Sequence, residues 1–188
     1  MGDAALKTFR TAMILIAASL VVLYEAVFPG FRRVLGAQVD LLPALMVYAA
    51  LNTGLSAVVL LACVGGLLFD SLSTNRLGVS VIPLFAVGFV ILVRRELILR
   101  DEPFAQFVLG VIASAVAPVL TVLILLTVGQ SPMLGWGSLW QWIVMTVGGG
   151  VATPIFFALF SWINRLFGYK PVIETSFRPD REIRRGRT

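Results

Sequence analysis

Apolar residues fall into six runs along the chain, broken by charge, proline, glycine or a polar turn. The first runs from Phe9 to Phe28 and stops at Pro29-Gly30. The second runs from Leu41 to Leu51, and the third from Leu55 to Phe69, ended by Asp70. The fourth runs from Val79 to Val93, ended by Arg94-Arg95. The fifth and sixth run from Phe104 to Val128 and from Leu139 to Ile163. Runs one, five and six hold 20, 25 and 25 residues. A hydrocarbon core of about 30 Å needs about 20 helical residues, so each of the three predicts a transmembrane helix. Runs two, three and four hold 11, 15 and 15 residues. Asn52-Thr53-Gly54 between runs two and three is an uncharged turn sequence. It predicts a hairpin of two short helices in preference to one long kinked helix. Short helices at membrane depth are stable only when their ends are covered by protein or face a wet cavity. The longer helices are therefore expected to hold the hairpin.

Charge placement favours six spans. With both termini in the cytoplasm, only Arg32, Arg33 and Arg76 of the 15 basic residues would lie outside. Lys7, Arg10, Arg94, Arg95, Arg100 and every base from Arg165 onward would lie inside, the asymmetry that the positive-inside rule describes. Five spans would export either the N-terminus or the basic tail. Trp136, Trp140 and Trp142 precede the last span, and Trp162 and Tyr169 follow it, as aromatic belts do. The stretch Lys7 to Ala26 has a basic start. Its apolar run exceeds the roughly 7–15 residues of a cleaved signal, and no clear small-x-small site follows. It is expected to be an uncleaved first span. The reading is an all-α polytopic membrane protein, with a six-helix transmembrane domain over residues 1–168 and a basic cytoplasmic tail over 169–188.

Composition agrees and removes other classes. Hydrophobic residues make up 59% of the 188 and charged residues 13%, about half the charge of a typical soluble domain, for which roughly 25% is usual. There is no histidine and a single cysteine, Cys63, which removes zinc centres, Ser-His and Cys-His catalysis and any internal disulfide. Cys63 lies in an apolar run and is expected as a small buried packing residue. The sequence pI of about 10.1 does not signal nucleic acid, because no folded basic domain presents the charge. Gly78-x-Ser80 lacks the closing glycine of a nucleophile elbow, and there is no phosphate-binding loop. No pair of acids falls within the predicted spans. The expectation is a non-enzyme with no cofactor or metal.

Asp70 is the most informative position. An acid at membrane depth needs a partner or water, and Arg76 is the only base in the same loop. Asp70, Ser73, Thr74 and Asn75 can also bond nearby backbone groups and fix the turn. Three readings follow: an interfacial acid that ends a helix, a loop that orders the helix pair and presents a surface to a partner, or a proton relay, disfavoured because no second buried carboxylate lies nearby in sequence. Ala62-x-x-x-Gly66 and Gly110-x-x-x-Ser114 are small-xxx-small pairs that let helices approach closely, and internal packing is the favoured use. Gly148-Gly149-Gly150 with Pro154, and Pro118, mark kinks or close packing. The tail from Arg165 is read as attracted to anionic lipid, with docking of a cytoplasmic protein as the alternative.

Leu41-Leu42-Pro43-Ala44-Leu45 opens a short second span. Further on, Gly66-Leu67-Leu68-Phe69-Asp70-Ser71-Leu72 is followed by Gly78, a glycine eight residues after the acid. Over Asp40 to Gly78 the chain resembles the bacterial rod-shape-determining protein MreD. Members of that family often carry an acid directly after the proline; here Ala44 stands there, and the acid is Asp40. The resemblance implies a non-enzymatic inner-membrane subunit of the elongation machinery that associates with MreC. Through MreC it would connect MreB filaments to RodA and a class B penicillin-binding protein. It also implies a fold like the S subunits of energy-coupling-factor vitamin transporters, with short second and third spans. Asp70, Arg76, Gly66, Gly78 and Pro43 are the residues expected to order the loop or bind the partner. The alternative is a small-solute S subunit. Against it, the first span has no A-x-x-x-A pair, and Ser19, Ser56, Ser114, Thr121 and Thr146 are few polar groups for a binding cavity. A third class is a general assembly scaffold for other membrane proteins.

Overall fold

A computed structural model describes residues 2–27, 36–73, 76–98, 102–129 and 135–166, with side chains from residue 8 onward. The expected tail over 169–188, Arg32, Arg33, Thr74, Asn75 and Tyr169 lie outside these residues. The described chain is all-α. Its helices are α1 (Gly2–Val27), α2 (Leu42–Asn52), α3 (Leu55–Leu72), α4 (Val81–Arg94), α5 (Pro103–Thr127) and α6 (Trp136–Leu166), with a 3-10 turn at Arg95–Leu97. Four segments are long and apolar enough to cross a membrane: Thr8–Val27, Leu55–Leu72, Pro103–Thr127 and Trp136–Leu166. The second of these, α3, differs from the expectation. Asp70 does not end its helix; it lies in the last turn, buried, and α3 reaches 18 residues.

The bundle is built around its shortest helix. Every residue of α2 from Leu42 to Leu51 is buried, and α2 packs against all five other helices. A helix that is apolar all round has no solvent face to offer, so burial on every side is where it belongs. At 11 residues it is about 16 Å long and cannot cross a bilayer by itself. The outer helices turn the opposite way. Ile16, Leu20, Leu60, Val90, Leu123 and Ile155 are all exposed, a surface that water would not tolerate and lipid would. Cys63 belongs to that surface: it is exposed, not buried as expected. A thiol is apolar enough to face lipid, and its run of α3 has an outward side as well as an inward one.

Small residues set the close contacts. A Cβ on Gly88 would sit 2.5 Å from Met46 Sδ and 2.8 Å from Val58 Cγ1, so α4 lies tight on α2 and α3. Gly110 and Ser114 of α5 meet Gly149 and Thr153 of α6. Trp142 closes the same seam, its Nε1 donating to the Ala115 carbonyl at 3.0 Å. The three successive glycines face different neighbours: Gly148 faces Val39, Gly149 faces Ser114, and Gly150 faces Val111 and Phe107. Pro118 and Pro154 lie inside continuous helices.

Candidate functional site

The two ends of α2 define the two polar regions of the molecule. At its start, the free N–H groups that every helix exposes must find acceptors. Carboxylates supply them. Leu42 N–H donates to Asp40 Oδ1 at 2.9 Å, and Leu41 N–H donates to Glu25 Oε1 at 2.7 Å. Glu25 comes from the end of α1, so one acid from each flanking segment caps the buried helix, and the sign suits the positive end of a helix dipole. Gln38 and Gln141 fasten the same segment to α6: Gln141 Oε1 accepts from Gln38 N–H at 3.0 Å, and its Nε2 donates to the Gln38 carbonyl at 2.6 Å.

Burial pushes the Asp40 carboxyl up to about 6, against the pull of its Leu42 hydrogen bond. A raised carboxyl pKa means that ionisation costs more in the folded state than in the unfolded one. The Asp40 contribution to stability is therefore fully present below pH 4 and is lost as pH rises through 6. In detergent, the protein should melt higher at pH 5 than at pH 7.5. Asp40→Asn should narrow that gap, and an unchanged gap in this variant would show that Asp40 is not its source.

Asp70 stands at the same end, one hairpin away. It is 1% exposed. Its Oδ2 accepts the Gly78 N–H at 2.8 Å and the Ser80 N–H at 3.1 Å. One carboxylate thereby ties the last turn of α3 to the turn that leads into α4. Gly78 can donate because its φ is +93°, a conformation that side chains other than glycine's rarely adopt. Gly66, one turn before Asp70, lets the chain close: a Cβ there would lie 2.9 Å from Val81 Cα. Arg76 does not pair with Asp70. It is exposed, and the acid takes its hydrogen bonds from backbone amides, which lie closer at hand than a long flexible cation. Among the described residues Asp70 Oδ1 has no hydrogen-bond partner. Pro43 is buried in the first turn of α2. Its neighbour Leu42 would meet a Cβ on Gly65 at 3.2 Å, so Pro43 sits beside the clasp and is not a member of it.

No family model, curated protein or solved structure matches this chain.

The other end of α2 opens on a cavity of about 930 Å³. Asn52 and Thr53 finish the helix there, and Arg95 donates to the Thr53 carbonyl at 3.2 Å. Arg10, Tyr48, Gln106, Asn164 and Arg165 also line it. The sequence reading found too few polar groups for a cavity, because it searched inside the apolar runs. The polar lining comes instead from four helices, α1, α2, α5 and α6, which only the packing brings together. Glu25 was missed for a similar reason: an acid near the end of an apolar run shows no partner until the chain returns at Leu41. Among the described residues no group of three or more acidic, histidine or cysteine side chains could hold a metal ion.

Proposed function

We propose that this chain is a non-enzymatic, MreD-like subunit of the bacterial elongation complex. It crosses the inner membrane six times with both termini in the cytoplasm, binds MreC, and so helps couple MreB filaments to RodA, a class B penicillin-binding protein and cell shape. One observation carries the reading. Gly66, Asp70 and Gly78, the residues on which the resemblance rests, converge on the single clasp that joins α3 to α4. A motif whose members meet in space is better explained as one device than as three scattered coincidences of composition. Six spans follow if α2 and α4 complete the path between the four long segments, α2 buried on every side and α4 packed on α2, α3 and α5 along one face. The partner helix would then bind by packing, since lipid is as apolar as any helix face.

The deciding measurement is a mild-detergent pull-down from native membranes, with the partners identified by mass spectrometry. MreC and wall synthases are the expected partners. A deletion of residues 177–188 should leave MreC co-purification intact; its complete loss would move the interface to the tail. The second reading, a substrate-binding subunit like the S components of transporters, draws on the polar cavity beside Asn52. It would bring down a coupling subunit with paired ATPases instead.

A further inference from the structure

The cavity at the end of α2 has a chemistry that the elongation-complex reading does not use. Two cations line it: Arg10 from α1 and Arg165 from α6. The described lining holds no carboxylate. Its other polar members are the amides Asn52, Gln106 and Asn164 and the hydroxyls Tyr48, Thr53 and Ser161, side chains that can donate hydrogen bonds. The far wall is apolar and aromatic. Tyr48 stacks on Phe160 with centroids 4.3 Å apart and meets Phe157 edge-on at 5.0 Å. Ile14 and Met13 adjoin them. The cavity thus has two faces: donors and positive charge from the helix ends, and hydrocarbon deeper in the bundle. Its size is at the upper end of small-molecule sites, which run to roughly 1,000 Å³. α1 packs on α2 and α3, while α6 packs on α5 and α2. Arg10 and Arg165 therefore face the same space from two helices, with α2 behind them.

We infer that this cavity binds the phosphate of an anionic lipid, with Arg10 and Arg165 pairing with the phosphoryl oxygens and the aromatic wall taking the start of the acyl chain. Guanidinium groups form paired, charge-assisted hydrogen bonds to phosphate. The amides and hydroxyls of the described lining complete the shell. A soluble phosphate would use the donors and leave the apolar wall empty. This inference stands apart from the identity of any protein partner.

The test uses the full chain, delipidated in detergent, by native mass spectrometry and thermal shift. The probes are phosphatidylglycerol, phosphatidylcholine with the same chains, diacylglycerol and inorganic phosphate. Phosphatidylglycerol should remain bound and raise the melting temperature. Phosphatidylcholine should bind more weakly, because its choline cation meets two arginines, and diacylglycerol should bind least. Arg10→Gln and Arg165→Gln should each weaken phosphatidylglycerol binding about tenfold or more, the loss of one charged hydrogen bond. Arg10→Lys should retain most of it. Ala158→Trp changes an exposed position on the cavity wall and should block binding without touching the buried core, which separates lost binding from lost folding. Arg94 is exposed, at the same end and off the cavity, so Arg94→Gln should bind like the parent. Equal binding of all three lipids would overturn the inference, as would an equal loss in Arg94→Gln. Inorganic phosphate matching phosphatidylglycerol would overturn the assignment to a lipid.

Discussion

Asp70→Ala is expected to lower the melting temperature in detergent by about 5 °C or more, corresponding to roughly 2–4 kcal/mol. Two backbone N–H groups, from Gly78 and Ser80, would lose their acceptor at a site that is 1% exposed. A buried donor left unpaired costs about 1–3 kcal/mol. Asp70→Asn separates acceptor from charge. Its side-chain carbonyl can still take both N–H groups, so it should retain most of the stability. If Asn were as damaging as Ala, the charge would matter and the clasp would not be the explanation. Gly78→Ala should fall between them, since φ of +93° strains any Cβ by about 1 kcal/mol. Membrane insertion should survive in all three, because the four long apolar segments remain. What should fall is MreC co-purification and rescue of cell shape, through a loosened α3–α4 connection. Normal rescue by Asp70→Ala at normal abundance would refute a role for this loop in the complex.

The apolar runs made the helices legible, because a run closed by proline, glycine or charge has few ways to fold in lipid. Asn52-Thr53-Gly54 marked the break between α2 and α3, and the two helices do stop and start around it. The end of α3 was not legible. A carboxylate after an apolar run reads as a stop signal, and only the Gly78 and Ser80 amides explain why Asp70 can stay inside the helix. Pairing Asp70 with Arg76 failed for the same reason: sequence shows charges and hides backbone donors. In the capping of α2, Glu25 reaches Leu41 16 positions on and Asp40 reaches Leu42, and both partners are again main-chain N–H groups. The cavity was the least visible feature. Arg10, Asn52, Gln106 and Arg165 lie on four different helices and share no spacing along the chain. Only the packing of those helices brings them into one lining.

Gly110→Val should be more damaging still, with a loss of at least about 2 kcal/mol and a strong fall in abundance, since forced overpacking alone costs roughly 1–3 kcal/mol. A Cβ at Gly110 would lie 2.8 Å from the Gly149 carbonyl oxygen and 2.8 Å from Thr153 Cβ. A side chain can rotate away, but a helix carbonyl cannot, so α5 and α6 must separate. Gly110→Ala gives the sharper sign test. Alanine is favoured over glycine inside a helix by about 1 kcal/mol. Propensity therefore predicts stabilisation and packing predicts the reverse, and packing should win. Gly54→Ala is the control. It has nothing within 4 Å and an ordinary φ of −108°, and should melt with the parent. The seam also positions the cavity: Gln106 is one turn from Gly110 on the same face, and Phe157 is one turn beyond Thr153. Separating the helices should then weaken anionic lipid binding along with stability, whereas the Arg10 and Arg165 variants lose binding alone. A Gly110→Ala protein that melts at or above the parent would show that the close approach of α5 and α6 is dispensable.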